Sequence, residues 1–117
     1  MDVSLPIINK TYEVYKILIE TNHSLSKRWR YTLGEKIENT ALNLLEQLII
    51  SQQAPGPLKG TWLLKSNATL EVLRLQIRLL LELDLVNETK IFQLNSMMSD
   101  IGRMLGGWMK YSKSPSK

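Results

Sequence analysis

The sequence contains no cysteine and only one histidine, His23, among its 117 residues. Without cysteine there is no disulfide framework, no thiolate metal site and no cysteine nucleophile. One histidine also excludes the paired Glu-x-x-His elements of a di-iron helical bundle. The sequence has no phosphate-binding glycine loop and no serine-nucleophile motif. We therefore expect a protein that is not an enzyme and that uses no metal or cofactor.

Long hydrophobic runs are also missing from the sequence. No stretch approaches the ~20 uncharged apolar residues that cross a bilayer, because Arg78 and Glu82 interrupt the most apolar region. The first residues, with Asp2 and Lys10, lack the basic start and the apolar core of a signal peptide. We expect a protein of the cytoplasm that has no membrane partner.

The composition is that of an ordinary globular domain with a modest positive charge. Hydrophobic residues make up 44% of the chain and the formal net charge is +4, which permits an anionic partner without requiring one. The length fits one domain. We predict that this domain covers residues 1–110 and that residues 111–117 form a disordered basic tail, because apolar periodicity stops there and no acid follows.

Apolar residues recur with helical spacing in four segments, which glycine, proline and polar turns separate. The segments are 7–22, 27–52, 61–84 and 88–110. In chain order, their apolar faces comprise Ile8, Tyr12, Tyr15 and Ile19; Leu33, Ile37, Ala41, Leu44 and Leu48; Leu63, Leu70, Leu73, Ile77 and Leu80; and Ile91, Leu94, Met98, Ile101, Leu105 and Trp108. Asn87 is the expected N-cap of the fourth helix. Four helices of similar length with short connections predict an all-α, up-down-up-down four-helix bundle.

The third segment carries more apolar surface than the core of one bundle requires. A second stripe runs beside its core face and comprises Val72, Leu75, Leu79, Leu83 and Val86. A core-facing helix devotes one stripe of about 100° to the interior, so the second stripe needs another cover. We predict a self-association interface on the last two segments that includes Leu75, Leu79, Leu83, Met97, Met104 and Trp108. A wider core within one chain is the alternative.

The fourth segment contains three glycines, Gly102, Gly106 and Gly107. Each glycine costs about 1 kcal/mol in a helix interior relative to alanine, so the cluster needs a reason. Close approach of another backbone is one reason. Fraying of the helix near its end explains Gly106 and Gly107 equally well.

Arg74 and Arg78 are four residues apart and flank the core face of the third segment. Guanidinium groups on long side chains can reach phosphates in a groove from such positions. They can also pair with Glu71 and Glu82 on the same helix, a contact worth a few tenths of a kcal/mol. The residues alone leave both interpretations open.

A second basic cluster comprises Lys27, Arg28 and Arg30, which alternate with Trp29 and Tyr31. Nucleic-acid surfaces often interleave basic and aromatic residues in this way. A helix start with both aromatic rings partly buried produces the same pattern.

A third basic cluster comprises Arg103, Lys110 and the lysines of the tail, and no acid follows Asp100. Such segments bind polyanions nonspecifically, and the binding weakens with salt.

Three parts of the sequence resemble the accessory variability determinant (Avd) proteins of diversity-generating retroelements. The string IGRMLGGW at 101–108 is similar to the C-terminal ending of that family, and Leu73-Arg74 followed by Arg78 is similar to its Leu-Arg-x-x-x-Arg pattern. The string YTLGEKIENT at 31–40 resembles the second helix of Avd-like and rRNA intervening-sequence four-helix-bundle proteins. The resemblance extends over residues 7–110.

The resemblance implies a four-helix bundle that assembles as a homopentameric barrel and is a noncatalytic partner of a reverse transcriptase. In the family, this pair makes adenine-mutagenised complementary DNA from a template RNA. The resemblance places nucleic-acid- or polymerase-binding positions on Arg74, Arg78 and Arg103. Two alternatives stay open: an intervening-sequence-type bundle without a polymerase partner, and an oligomerisation module without a nucleic-acid role.

Overall fold

The computed structural model describes residues 4–113, and within that range the chain forms a rod of antiparallel helices measuring 54 × 23 × 19 Å. The elements are α1 (Ser4–Asn22), α2 (Lys27–Trp29), a π-helical turn (Arg30–Gly34), α3 (Glu35–Gln53), α4 (Gly56–Glu82) and α5 (Glu88–Lys113). The π-helical turn joins α2 to α3 without a break, so the described residues form four long helices and no strand. The expected all-α four-helix fold is confirmed.

The four long helices are arranged so that each packs beside two others. α1 lies against α3 and α5, and α4 lies against α3 and α5. α1 and α4 are therefore at opposite corners of the bundle. None of the described helices is both long enough and apolar enough to cross a membrane.

The core is an apolar column formed by one face of each helix. The faces predicted for the third and fourth segments are buried in full, and so is the second-segment face from Ile37 onward, whereas Leu33 beside the π-helical turn is half-buried. Leucine dominates the column, and most of its members have no exposed surface. Burial on this scale is the main term that stabilises the bundle.

The predicted core face of the first helix is wrong by one position. α1 buries Ile7, Thr11, Val14 and Leu18, whereas Tyr12 is 52% exposed. Two neighbouring stripes of α1 are apolar enough to form the core. The stripe that is buried contains Thr11, and this polar residue makes it look less apolar in the sequence than the stripe that contains Tyr12. Its hydroxyl donates to the Ile7 carbonyl oxygen at 2.8 Å, so the polar group enters the core already hydrogen-bonded.

Two helix ends also differ from the predicted bounds. α4 begins at Gly56 rather than at residue 61, with Pro57 in its first turn, where proline has no intrahelical N–H bond to lose. α5 continues to Lys113, so residues 111–113 are helical instead of disordered. The rest of the predicted tail, residues 114–117, lies outside the described residues. Asn87 is confirmed as an N-cap, since its Oδ1 accepts the Lys90 backbone N–H at 2.8 Å.

The π-helical turn is tied to the end of α1 by one buried amide. Nδ2 of Asn22 donates to the Gly34 carbonyl oxygen at 2.8 Å and to the Glu38 carboxylate at 2.8 Å. A Cβ atom at position 34 would lie 3.2 Å from the Trp29 carbonyl oxygen. The close approach of backbone and amide explains why glycine occupies this position.

Candidate interaction surfaces

Arg74 lies in the contact between α4 and α5. Its Nη1 donates to the Met98 carbonyl oxygen at 3.2 Å, and its Nη2 reaches the Ser99 hydroxyl at 3.4 Å. A Cβ atom on Gly102 would be 3.3 Å from this Nη1, so the missing side chain gives the guanidinium room on the α5 backbone. The group that approaches Gly102 is thus a side chain of the same chain and not the second backbone that the sequence suggested. Arg74 links two helices instead of pairing with Glu71.

Arg78 has a different environment one turn further along α4. Its Nε donates to the Glu82 carboxylate at 3.0 Å, and both side chains are more than half exposed. The ion pair with Glu82 that the spacing allowed is therefore present. An exposed pair of this kind contributes about 0–1 kcal/mol, so the guanidinium can exchange Glu82 for a phosphate or a partner carboxylate at small cost.

Arg103 is part of a three-residue charge cluster that joins α1 to α5. Its Nη2 donates to the Asp100 carboxylate at 2.8 Å, and Lys10 from α1 reaches the other oxygen of the same carboxylate at 3.5 Å. Donation from Arg103, supported by Lys10, lowers the pKa of Asp100 below its ordinary value. The contact between Lys10 and Asp100 could not be predicted from helical spacing, because the two residues are 90 positions apart.

The basic cluster at the start of the second long helix is divided between structure and surface. Nη2 of Arg30 donates to the carbonyl oxygens of His23 and Leu25 at 3.3 and 3.1 Å, which fixes the loop between α1 and α2. Arg28 lies over the Trp29 ring at 5.0 Å and is exposed. Lys27 is exposed as well. Lys27 and Arg28 are therefore the members of this cluster that face solvent.

Lys110 is exposed near the end of α5. The bundle end that it shares with the start of α4 also carries Lys59 and Lys65. Nζ of Lys59 donates to the carbonyl oxygens of Ser51 and Gln52 at 2.6 and 3.2 Å, which satisfies the last turn of α3. Lys59 has a structural role, whereas Lys65 and Lys110 add to the positive charge of this end.

An apolar ridge runs along the side of α4 that faces away from the bundle. We call this the α4 ridge, and it comprises Leu64, Ala68, Val72, Leu75, Leu79 and Leu83, all of them exposed. Leu64 and Leu75 are the most open, with 62% and 60% of their surface accessible. The second stripe predicted for this helix thus lies outside the core of its own chain, except for Val86, which is half-buried.

The α5 residues predicted for the same interface pack inside their own chain and do not extend the α4 ridge. Met97 and Met104 are half-buried and pack on the core of their own chain. Trp108 is only 5% exposed and is a member of that core. Little of its ring is left for contact with a second chain, so the exposed part of the predicted interface belongs to α4.

A second apolar surface lies across α1 and α3, and sequence reasoning did not identify it. We call this the α1/α3 face, and its main residues are Leu5, Tyr12, Ile19, Leu42 and Ile49. All of them are exposed except Ile19, which is half-buried. The available signal was the apolar stripe Ile8, Tyr12, Tyr15 and Ile19, which had been assigned to the core.

The junction of α3 with α4 contains a groove of about 510 Å³. Ile49, Ile50 and Trp62 form its apolar part, Glu46 and Lys65 line it as well, and the Lys65 ammonium lies 4.8 Å from the Trp62 ring centre. Among residues 4–113, no group of three histidine, aspartate or glutamate side chains is arranged to hold a metal ion. The groove therefore combines an apolar floor with one acidic and one basic side chain.

Comparison with known proteins agrees with the resemblance carried by the three strings. A family model described as bAvd-like matches residues 5–112. No curated protein matches the chain. The family match covers nearly all of the four-helix bundle, including the α4 ridge and Arg74, Arg78 and Arg103. This chain belongs to the bAvd-like family, whose members are accessory, noncatalytic proteins.

Proposed function

We propose that the chain is an accessory subunit of a diversity-generating retroelement that binds the reverse transcriptase together with template RNA or complementary DNA. Membership of the bAvd-like family over residues 5–112 is the observation that carries this proposal. The subunit contributes no catalytic group. Its role is to hold polymerase and nucleic acid together during mutagenic reverse transcription in the cytoplasm.

Self-association is part of the proposed function, with a homopentameric barrel as the assembly. The α4 ridge supports it, because a continuous exposed apolar ridge on a small helical protein is typical of an interaction surface. Five copies multiply each basic surface fivefold, and clustered charge of one sign attracts polyanions more strongly than the same charges on separate molecules.

The exposed basic residues are the proposed contacts to nucleic acid or polymerase: Arg78, Arg103, Lys27, Arg28 and Lys110. Arg78 pairs with the exposed Glu82, and Arg103 is itself exposed beside the half-buried Asp100, so a phosphate can reach either guanidinium. Arg74 and Arg30 act differently, because their guanidinium groups hold backbone carbonyl oxygens. We propose that these two residues support the binding surface without forming it.

Co-purification of the tagged chain with the reverse transcriptase of its own retroelement and its template RNA tests the proposal. The wild-type protein is expected to retain both, with an RNA affinity that falls as salt increases. Arg78→Ala is expected to weaken retention, whereas Lys36→Ala, which removes the same charge from the exposed surface of α3, is the matched control. Equal retention by both variants would remove Arg78 from the site, and absence of the polymerase from wild-type complexes would reject the function.

A second candidate is an intervening-sequence-type bundle, or an oligomerisation module, that has no polymerase partner. The observation that favours it is the engagement of Arg74, Arg78 and Arg103 within the chain, which leaves fewer guanidinium donors available to a phosphate. The same co-purification separates the candidates, because the second one predicts a self-assembled protein that recovers no reverse transcriptase.

A further inference from the structure

The α4 ridge and the α1/α3 face are not equivalent. The α4 ridge lies on one corner of the bundle, whereas the α1/α3 face lies on a side to which α4 does not belong. A two-fold contact between identical ridges would cover the α4 ridge and leave the α1/α3 face in water. A head-to-tail contact between the two different surfaces covers both in every copy, and such contacts form a ring when the rotation from copy to copy closes.

We propose that the α4 ridge of one copy packs on the α1/α3 face of the next copy, with both copies pointing in the same direction. This contact rests on the proposed self-association and specifies which surfaces form it. The partner is therefore a second copy of this chain.

The lengthwise alignment of the surfaces can be measured from one end of the bundle. At that end, Nε2 of Gln52 donates to the Ser4 hydroxyl at 2.7 Å, and Lys59 donates to the Gln52 carbonyl oxygen at 3.2 Å. Lys65 lies six residues beyond Lys59, and Glu46 lies six residues from Gln52 in the same direction along the rod. Both charges are thus about 9 Å from the common end.

A second pair of charges matches in the same way. Glu71 lies twelve residues beyond Lys59, and Lys16 lies twelve residues beyond Ser4, so both are about 18 Å from the common end. Glu71 is on the side of the ridge toward α5, where it lines a depression with Asn95. Lys65 is on the side toward α3. In a parallel contact, Lys65 therefore meets Glu46 on α3 of the next copy, and Glu71 meets Lys16 on α1 of that copy.

Reversing one copy gives the opposite result. A rotation of one copy by 180° about the line that is perpendicular to the contact exchanges the α1 and α3 sides of its α1/α3 face. The same rotation reverses the order of its residues along the rod. Lys65 then lies against Lys16, and Glu71 lies against Glu46. Like charges placed opposite each other disfavour a contact. The charge pattern therefore selects the parallel direction, which is the direction that a cyclic ring around an axis parallel to the helices requires.

These four side chains are available for contacts between copies. Lys16, Glu46, Lys65 and Glu71 are all exposed. Within residues 4–113, none of them forms an ion pair, although Lys65 lies over the Trp62 ring. Opposite charges beside an apolar contact set its direction and register more than its strength.

Cysteine cross-linking tests the contact directly, because the chain has no native cysteine. Leu75 and Ile19 lie sixteen and fifteen residues from the common end, about 24 and 22 Å. The double variant Leu75→Cys/Ile19→Cys, treated with a short bis-maleimide, is expected to give a ladder of covalent species that extends beyond the dimer. The matched control Leu75→Cys/Leu5→Cys places the second thiol about 20 Å lower and is expected to give none.

The possible outcomes separate the contact from the proposed self-association. Light scattering that shows a wild-type monomer overturns both. If the single variant Leu75→Cys cross-links to dimers, the α4 ridges of two copies pack against each other. If only the Leu75→Cys/Leu5→Cys control cross-links, neighbouring copies are antiparallel. Either result, or an oligomer that cross-links in neither double variant, overturns only the contact proposed here.

Charge reversal gives a second test that leaves the core untouched. Glu71→Lys and Lys16→Glu are each expected to weaken association by about 2- to 5-fold per contact, and the double variant is expected to restore it. Sedimentation velocity over a concentration series measures the shift, and circular dichroism checks that each variant is folded. Failure of the double reversal to recover association would separate these two residues and overturn the proposed register.

Discussion

α4 has two sides outside the core, one toward α5 and one toward solvent. Both carry long apolar or basic side chains, but those toward α5 contact the neighbouring helix and those on the other side do not. On the side toward α5, Arg74 donates to a backbone carbonyl oxygen and occupies the space above Gly102. On the outward side, Leu75 and Leu79 face solvent, and Arg78 at the edge between the two sides pairs with an exposed acid. The comparison shows that residue type and helical spacing do not decide whether a side chain builds the protomer or is available to a partner. The neighbouring helix decides it.

The largest effect is expected when one aliphatic side chain is removed from the core face of α4 and one from its outward side. Ile77→Ala removes a core side chain that has no exposed surface and is expected to lower the free energy of unfolding by about 2–5 kcal/mol. Leu75→Ala on the ridge is expected to change it by less than about 0.5 kcal/mol. Urea unfolding followed by circular dichroism measures both values. A large loss for Leu75→Ala in a monomeric sample would show that the ridge is part of the protomer core.

The two arginines provide a smaller version of the same comparison. Arg74→Ala leaves the contact with the Met98 carbonyl unmade and is expected to destabilise the bundle by about 1–2 kcal/mol. Arg78→Ala is expected to cost less than about 1 kcal/mol, because its ion pair is exposed. The same unfolding experiment compares them, and the interpretation of Arg74 as a link between helices fails if the two losses are equal.

Gly102 and Gly107 allow the same comparison on α5, because Gly102 faces Arg74 of α4 and Gly107 faces solvent. Gly107→Ala places a methyl group where nothing lies within 4 Å, and helix propensity is expected to stabilise the protomer by about 0.5–1 kcal/mol. Gly102→Ala has the same propensity gain but places its Cβ 3.3 Å from Arg74. Its net gain is therefore expected to be smaller. Thermal unfolding of the two variants is the measurement, and equal gains would mean that Arg74 moves aside freely.

The smallest expected effect is the pH dependence of the Asp100 cluster, which lies on the opposite side of α5 from Arg74. The pKa of Asp100 is lowered mainly by Arg103, so the carboxylate binds protons less readily in the folded chain than in the unfolded chain. Its contribution to stability is present above its ordinary pKa of 3.8 and is lost as the pH falls through the lower, folded value. The stability difference between wild type and Asp100→Asn is expected to shrink only in that acidic range. A difference that grew on acidification would have the wrong sign.

Much of the fold could be predicted from the sequence because leucine-rich faces repeat with an unambiguous period in three of the four helices. The six core positions of α5 from Ile91 to Trp108 are all buried. α1 was misread because a threonine hydroxyl that is bonded to its own helix backbone resembles a surface residue in the sequence. Periodicity measures the polarity of a residue type, and it does not detect a polar group that brings its own hydrogen-bond partner.

The candidate surfaces could be predicted only in part. The excess apolar stripe of α4 was visible because a single helix carried two stripes. The α1/α3 face was not identified, since its residues belong to two helices that the sequence does not align with each other. The link through Arg74 depends on a residue 24 positions away, and the Lys10 contact depends on one 90 positions away. The periodicity of a single helix cannot predict contacts between residues so far apart in the sequence.

The π-helical turn between Arg30 and Gly34 holds one more residue than an α-helical turn would hold in the same place. Deleting one residue there would allow an ordinary α-helix to form with both flanking pieces intact. Because the wider turn and the ordinary turn cover nearly the same rotation about the helix axis, Arg28 and Trp29 would keep their direction relative to α3. The extra residue therefore lengthens the backbone where Asn22 holds the Gly34 carbonyl oxygen without redirecting the basic and aromatic surface beside it.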